Sequence, residues 1–467
     1  MGTGRGTCLV SELRGRPLVL SALALAVGIG ARSSPLVALG LIVLLWLAGW
    51  SWRALMVGGF GLVGFLISPL SPMRSLNSAQ PFEGRADVIS VARPGRFGEQ
   101  VVVMADGRRL IWQLRPGEIA NWGDRFRVKG ELRPFGDAGG GGLARMGLAG
   151  RLVTQRAFLE ASGTNLARVG SGLRVSFGLA MSRDLSADDA AMVRALTFND
   201  DAQVSDEVKD GLRATGVIHI ISTSGMHVML LSLLLMQVLQ RLRMHRWGQL
   251  VLLGVLLVLY VMAAGWRPPA MRAMILALLV WLPYAFDREA DALSALAVAF
   301  LGTIIWQPYE ILNAGFQLSY VSVIALVMFG QLQWVAMEES TPRVILRRLG
   351  VLLRASLVAT VATAPLLAYH FGEFSWLGPI VNLMVGFVVL PIVAGGLLLW
   401  MLPFFAWLGV PLMLAALCQY IGVVVSAMGR GATLVQVGPF SAWWLVLIYG
   451  AAILMWEPRR KLPTQTN

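Results

Sequence analysis

The sequence predicts a polytopic α-helical membrane protein with a small extracytoplasmic β-barrel, OB-like in size, inserted after its first spans. Three observations carry this. The 467 residues are 56% hydrophobic and 14% charged, and several apolar runs approach the roughly 20 residues that cross a bilayer. One long polar stretch, residues 71–175, interrupts those runs with short segments of alternating polar and apolar residues. Basic residues collect on every second loop, as the positive-inside bias requires.

Taken in order, the chain opens with Arg5, Arg14 and Arg16 before an apolar run from Pro17. That start resembles a signal peptide, but runs at 35–50 and 54–70 follow it, so residues 1–70 are expected to be retained transmembrane helices. Residues 71–170 form the polar domain. Strands are expected at 84–91, 97–105, 108–114, 125–131 and 151–158, separated by turn signals such as Asp106-Gly107, Pro116-Gly117 and the glycines 139–142. Five short strands in under ninety residues suit a small Greek-key barrel.

Residues 171–215 are mixed. Leu173, Phe177, Leu179 and Met181 suggest an interfacial amphipathic helix, and Ser186 followed by Asp188-Asp189 has the composition of a helix start. The segment reads as a surface apron. Spans are then expected at 216–240, 248–264, 270–286, 291–306, 311–332, 349–369, 378–402, 405–428 and 440–456, and residues 457–467 are a basic tail. With a cytoplasmic N-terminus, Arg53, the group Arg241, Arg243 and Arg246, the group Arg343, Arg347 and Arg348, and the tail Arg459-Arg460-Lys461 all fall on the cytoplasmic side. The same count puts 71–170 outside and both termini inside, in a multi-pass protein of the cytoplasmic (inner) membrane in contact with its lipids. Cys8 and Cys418, at opposite ends of the chain, argue against a disulfide framework.

The formal charge is +13, and its placement says more than its size. Residues 71–175 hold sixteen basic and nine acidic side chains, which favours a polyanion on that segment. Trp112, Phe126 and Phe135 stand near Arg125, Arg127, Lys129 and Arg133 in sequence. Two readings are open. The aromatics are stacking platforms for nucleotide bases beside a basic strand, or they are core residues behind a solvated one.

Polar groups inside the apolar runs mark the working region, because such groups are costly in hydrocarbon. Residues 216–228 hold His219, Ser222, Ser224, Gly225 and His227. On a straight helix the two histidines are about 12 Å apart along the axis, so they do not share a metal without a break near Gly225. No third ligand accompanies them, and neither a metal nor any cofactor is expected. Ser224 and His227 share a helix face, which raises an intramembrane serine hydrolase, although no oxyanion-hole donor is identifiable. Gly265-Trp266-Arg267-Pro268-Pro269 breaks a second run and places Arg267 and Arg272 near membrane depth. Gln317, Ser319 and Asn382 add polar groups to later spans, as interhelical contacts or as the lining of a wet path. None of the three lysines follows a glycine, so a phosphate-binding Gly-Lys loop of the common ATPase kind is excluded.

From Ala195 onward the chain resembles the ComEC-type competence family, inner-membrane channels for DNA uptake. The blocks are Leu196-Thr-Phe-Asn-Asp200, Gly216-x-x-His219 and Ser224-Gly225-Met-His227-Val228. Then come Arg267, Arg272-Ala273, Asp291-Ala-Leu-Ser294, Pro308, Gly315-Phe-Gln317-Leu-Ser319, Pro365, Phe371, Asn382 and Pro391. Gly123-Asp124, Gly130-Glu-Leu-Arg-Pro134 and Gly147-Leu-Ala-Gly-Arg151 resemble the family's outer OB-like domain. The resemblance implies a channel that passes single-stranded DNA during natural transformation, with no catalytic residues of its own. It implies an extracytoplasmic DNA receptor and a cytoplasmic ATPase or strand-binding protein as partners. Many members continue into a metallo-β-lactamase-like domain, whereas this sequence stops at Asn467, so strand degradation is expected of a separate nuclease. Thr223 stands where many members have an aliphatic residue. A transporter of another anion remains the alternative from the residues alone.

Overall fold

The computed structural model describes residues 19–24 and, with short interruptions, 76–455; the longer interruptions are 136–147 and 330–341. The expected spans at 35–50 and 54–70 and the basic tail at 457–467 lie outside the described residues.

Six strands come first: β1 (Gln80–Val88), β2 (Arg93–Gly95), β3 (Gly98–Ala105), β4 (Arg108–Gln113), β5 (Arg125–Arg133) and β6 (Gly150–Ala161). They pair in the order β1-β5-β6-β4-β3, and β1 also pairs with β3, so five strands close on themselves and β2 extends from β3. All these pairings are antiparallel except β4 with β6. The result is the five-stranded Greek-key barrel expected from the sequence. Asp106 and Gly107 turn the β3–β4 hairpin at φ 51° and 66°, the two positive φ values that a type I′ turn requires.

Side-chain alternation fills the barrel. Along β5 the buried residues Phe126, Val128 and Leu132 alternate with exposed Arg125, Arg127, Lys129 and Arg133. Trp112 is 1% exposed, its indole N–H donates to the Thr154 hydroxyl at 3.1 Å, and its ring meets Phe126 edge-on at 5.0 Å. Both rings belong to the barrel core with Val101, Val103, Leu110 and Leu152. This corrects the stacking-platform reading of Trp112 and Phe126, since a base cannot reach rings that the barrel has already enclosed. Phe135 is half-buried, with the Arg151 guanidinium 5.8 Å from its centroid.

Two irregularities between β5 and β6 change which residues face outward. Glu131 pairs with Val153 and Gly130 with Thr154, but Lys129 pairs with Arg156, so Gln155 is an extra residue on β6. A β-bulge of this kind shifts the phase of everything after it. Gly130 makes the bulge possible: a β-carbon there would lie 2.1 Å from the carbonyl oxygen of Val153. Beyond the bulge Arg156 and Phe158 point outward, Phe158 being 64% exposed; a second register shift, where Phe126 pairs with Leu159 but Arg125 with Ala161, makes Glu160 an extra residue as well.

The helices follow: α1 (Asn165–Asp184), α2 (Ala187–Phe198), α3 (Asp206–Ala214), a 3-10 turn (Ile218–Ile220), α4 (Gly225–Leu239), α5 (Arg246–Ala263) and α6 (Pro268–Ala285). Next are α7 (Ala292–Trp306), α8 (Ala314–Phe329), the 30-residue α9 (Pro342–Phe371), α10 (Gly378–Met401), α11 (Val410–Gly429) and α12 (Trp443–Met455). Five are long and apolar enough to cross a membrane: α5, α6, the stretch Gly350–Phe371 of α9, α10 and α11. The two-residue strands β7 (Glu373–Phe374) and β8 (Val435–Gln436) pair with each other.

Two compact units contain these elements. One comprises residues 1–70, 291–374 and 435–467; the other comprises 71–290 and 375–434. The spans within 216–456, expected as one channel domain, are therefore distributed between the two.

In the second unit α1, α2, α4, α5, α6, α10 and α11 share one apolar core. Ser186 caps α2, its hydroxyl accepting from the Asp189 N–H, as the sequence indicates. The surface-apron reading of 171–215 needs correction, however, because α2 is core: Ala190, Ala191, Met192, Val193, Leu196 and Phe198 are all buried. Of the expected interfacial face of α1, Phe177 and Met181 are buried whereas Leu179 is exposed. Backbone proximity accounts for this. A β-carbon on Gly170 would lie 2.5 Å from the Met262 carbonyl oxygen of α5, and one on Gly396 of α10 would lie 3.0 Å from Val193.

Candidate functional site

The site begins where α2 stops. Asn199 takes the left-handed conformation, φ 56°, and its N–H returns to the Ala195 carbonyl, which closes the helix as a glycine would. Arg194 fixes the chain beyond it by pairing with Asp200 and with Gln203, the latter at 2.8 Å. The Tyr260 hydroxyl of α5 donates to the Thr197 carbonyl at 2.6 Å. The Leu196-to-Asp200 block is thus a fastening of α2 to α5.

Gly216 is required twice over. It adopts φ +78°, and a β-carbon there would meet the Ser375 side chain at 2.9 Å. It directs the chain into the 3-10 turn that carries His219. Residues Ser222, Thr223 and Ser224 lie outside the described residues, as does Arg267. The expected span from 216 is therefore not one continuous helix: the 3-10 turn at Ile218–Ile220 precedes α4, which is described from Gly225. A β-carbon on Gly225 would lie 3.2 Å from that of Ala273, so α4 and α6 approach closely at this level.

The turn matters because the straight-helix separation of the two imidazoles no longer applies: His219 sits on the 3-10 turn and His227 on α4. His219 hydrogen-bonds to the backbone of Gly216, and its side chain is exposed. His227 is 3% exposed, and its Nε2 has no hydrogen-bond partner among the described residues. A buried polar atom left in that state costs about 1 to 3 kcal/mol, and such a site is where a water or a polar ligand belongs. Arg272, next to Ala273 on α6, is 4% exposed. Where α5 gives way to α6, Gly265 and Trp266 have φ 85° and 50°; for a bulky residue the latter is a strained conformation. Among the described residues no three His, Cys, Asp or Glu side chains gather as a metal site needs.

The expected path residues therefore divide. His219, Gly225, His227 and Arg272 lie in the second unit, which also holds the half-buried Asn382 on α10. Gln317 and Ser319 belong to the first unit. There Gln317 donates its amide N–H to the Ile311 carbonyl at 2.9 Å, and its oxygen meets His370 Nε2 at 2.8 Å. Sequence reasoning passed over His370 because it is far from the other histidines along the chain. Its place within a span, beside a family block residue at Phe371, was the available signal.

On the barrel, the basic residues of β5 are exposed but not alone. Arg125 pairs with Asp87 at 2.6 Å, Arg127 with Glu160 at 2.9 Å, Lys129 with Glu83 at 2.9 Å and Arg133 with Glu131 at 2.8 Å. The hydrogen bond to Asp87, with its charge, raises the Arg125 guanidinium above its ordinary pKa. Exposed pairs of this kind hold loosely, so the strand keeps its cations available while it is neutralised at rest.

The signature blocks that build this turn lie within one matched region: the sequence model of the Competence protein family covers residues 196–461. The chain belongs to that family. The competence-family region starts inside α2 and takes in the fastening to α5, the Gly216 turn, the two histidines and the Gln317–His370 pair. Among curated proteins, the chain is 30% identical over 233 residues to ComE operon protein 3 of Bacillus subtilis (strain 168), covering 48% of this chain and 29% of that protein. It is 26% identical over 215 residues to the uncharacterized protein YcaI of Escherichia coli (strain K12), covering 44% and 28% respectively. The match thus spans less than a third of each relative's length. No solved structure matches the chain.

Proposed function

We infer that this protein is the cytoplasmic-membrane channel through which single-stranded DNA enters the cell during natural transformation, and that the barrel stands on the outer side and guides the strand to the helices. The observation that carries the reading is the buried Nε2 of His227, which has no hydrogen-bond partner among the described residues, within the family-matched region that also holds His219 and the buried Arg272. A phosphate or its water shell supplies what His227 lacks, and a guanidinium grips phosphate with a planar fork. The competence family and the name of the Bacillus subtilis relative support DNA uptake over transport of another anion. The reading assigns Ser222, Ser224 and Arg267 to the same path and calls for an outer DNA receptor, a cytoplasmic ATPase or strand-binding protein, and a nuclease for the discarded strand.

The test is complementation. In a transformable host lacking its own uptake channel, this chain should restore nuclease-protected entry of labelled DNA. Arg272→Lys should lower that entry about tenfold at normal protein level, because charge persists while the bidentate contact is lost. Entry at the wild-type rate in Arg272→Lys would return Arg272 to a packing role, and no entry with the parent chain would defeat the reading itself.

A further inference from the structure

The outward face of β1, β5 and β6 carries a constellation that the sequence analysis did not single out. Arg85 and Arg127 are directly opposite on neighbouring strands, where two like charges repel. Glu160 relieves the repulsion by taking one arginine on each carboxylate oxygen: Oε2 meets Arg85 Nε at 3.0 Å and Oε1 meets Arg127 Nη2 at 2.9 Å. Phe158 pairs with Arg127 across the next ladder and lies two residues from Glu160, the extra residue of the second register shift, whose carboxylate reaches both arginines. Its ring is 64% exposed, so a face is open for a base to stack on.

We propose that this face is a nucleotide-binding patch: a DNA phosphate displaces the Glu160 carboxylate from between Arg85 and Arg127, and the attached base stacks on Phe158. A carboxylate chelated by two guanidinium groups has the charge and fork geometry of the phosphate that replaces it. The stacking surface is sequence-tolerant, as an uptake protein needs. At rest Glu160 acts as an internal counterion, so the arginines are held in place without attracting other anions. This rests on the reading that the outer barrel meets single-stranded DNA, and it moves the contact from the enclosed Trp112 to the open Phe158.

The experiment uses the full chain in lipid nanodiscs and a fluorescent oligothymidylate. Phe158→Ala should weaken binding about 5- to 150-fold, and Phe158→Trp should restore or exceed the parent affinity. Glu160→Gln should tighten binding and steepen the logarithmic salt dependence by about 0.7, one phosphate's worth. A photoreactive benzoylphenylalanine at 158 should capture the oligonucleotide. Salt-sensitive binding by the parent with Phe158→Ala and Glu160→Gln both unchanged would overturn the patch and leave the channel reading standing. Capture of acyl chains at 158 instead would show a lipid-facing surface and also overturn it. No binding by the parent chain would remove both.

Discussion

Trp112 fills the barrel against Phe126 with its indole N–H bonded to Thr154, so truncation there removes packing. Trp112→Ala should destabilise the barrel by about 3 to 5 kcal/mol. Limited proteolysis of the full protein should then show cleavage between residues 80 and 161 with the spans after 225 still protected; a barrel as resistant as the parent's would contradict the core assignment. The alternation of β5 was legible residue by residue, because each inward position is apolar and each outward one charged. Phe158 and Glu160 were not, since their placement depends on extra residues at Gln155 and at Glu160 itself and no local pattern announces an unpaired residue. His219 and His227 were visible as costly polar groups in an apolar run, but the 3-10 turn that carries His219 was hidden. Hydropathy reads straight through such a turn.

At the scale of elements, most spans follow from composition alone, and α5, α6, α10 and α11 fall within a few residues of their expected places except at the start of α11. What composition does not disclose is which helices touch backbone to backbone. Gly170 and Gly172 are two residues apart on α1, yet a β-carbon on the first meets the Met262 backbone of α5 and one on the second meets nothing within 4 Å. Gly170→Ala should therefore lower stability by about 1 to 3 kcal/mol, while Gly172→Ala should be neutral or raise it by up to about 1 kcal/mol through its higher helix propensity. Thermal unfolding of the two variants in the same detergent decides this, and equal melting temperatures would remove α1 from its close crossing with α5. The same constraint explains the buried α2. Its polar flanks, Asp188-Asp189 at one end and Asn199-Asp200 at the other, make it look like surface, but its middle is apolar and lies against α10 and α1.

For the molecule as a whole, the distribution of arginines sets an expected orientation. In a Cys8→Ser background, Gly107→Cys at the exposed β3–β4 turn should react with a membrane-impermeant maleimide on intact cells lacking their outer wall. Arg243→Cys, between α4 and α5, should react only after the membrane is opened. The reverse pattern would invert the protein and place the barrel in the cytoplasm. Length supplies a further consequence. Helix α9 runs for 30 residues, about 45 Å, against a hydrocarbon thickness of about 30 Å. Its apolar part begins at Gly350, which leaves about 12 Å of helix ahead of it from Pro342, the stretch that holds Arg343, Arg347 and Arg348 in sequence. In the expected orientation this stretch carries the helix past the hydrocarbon on the cytoplasmic side, so α9 does not end where the apolar span does.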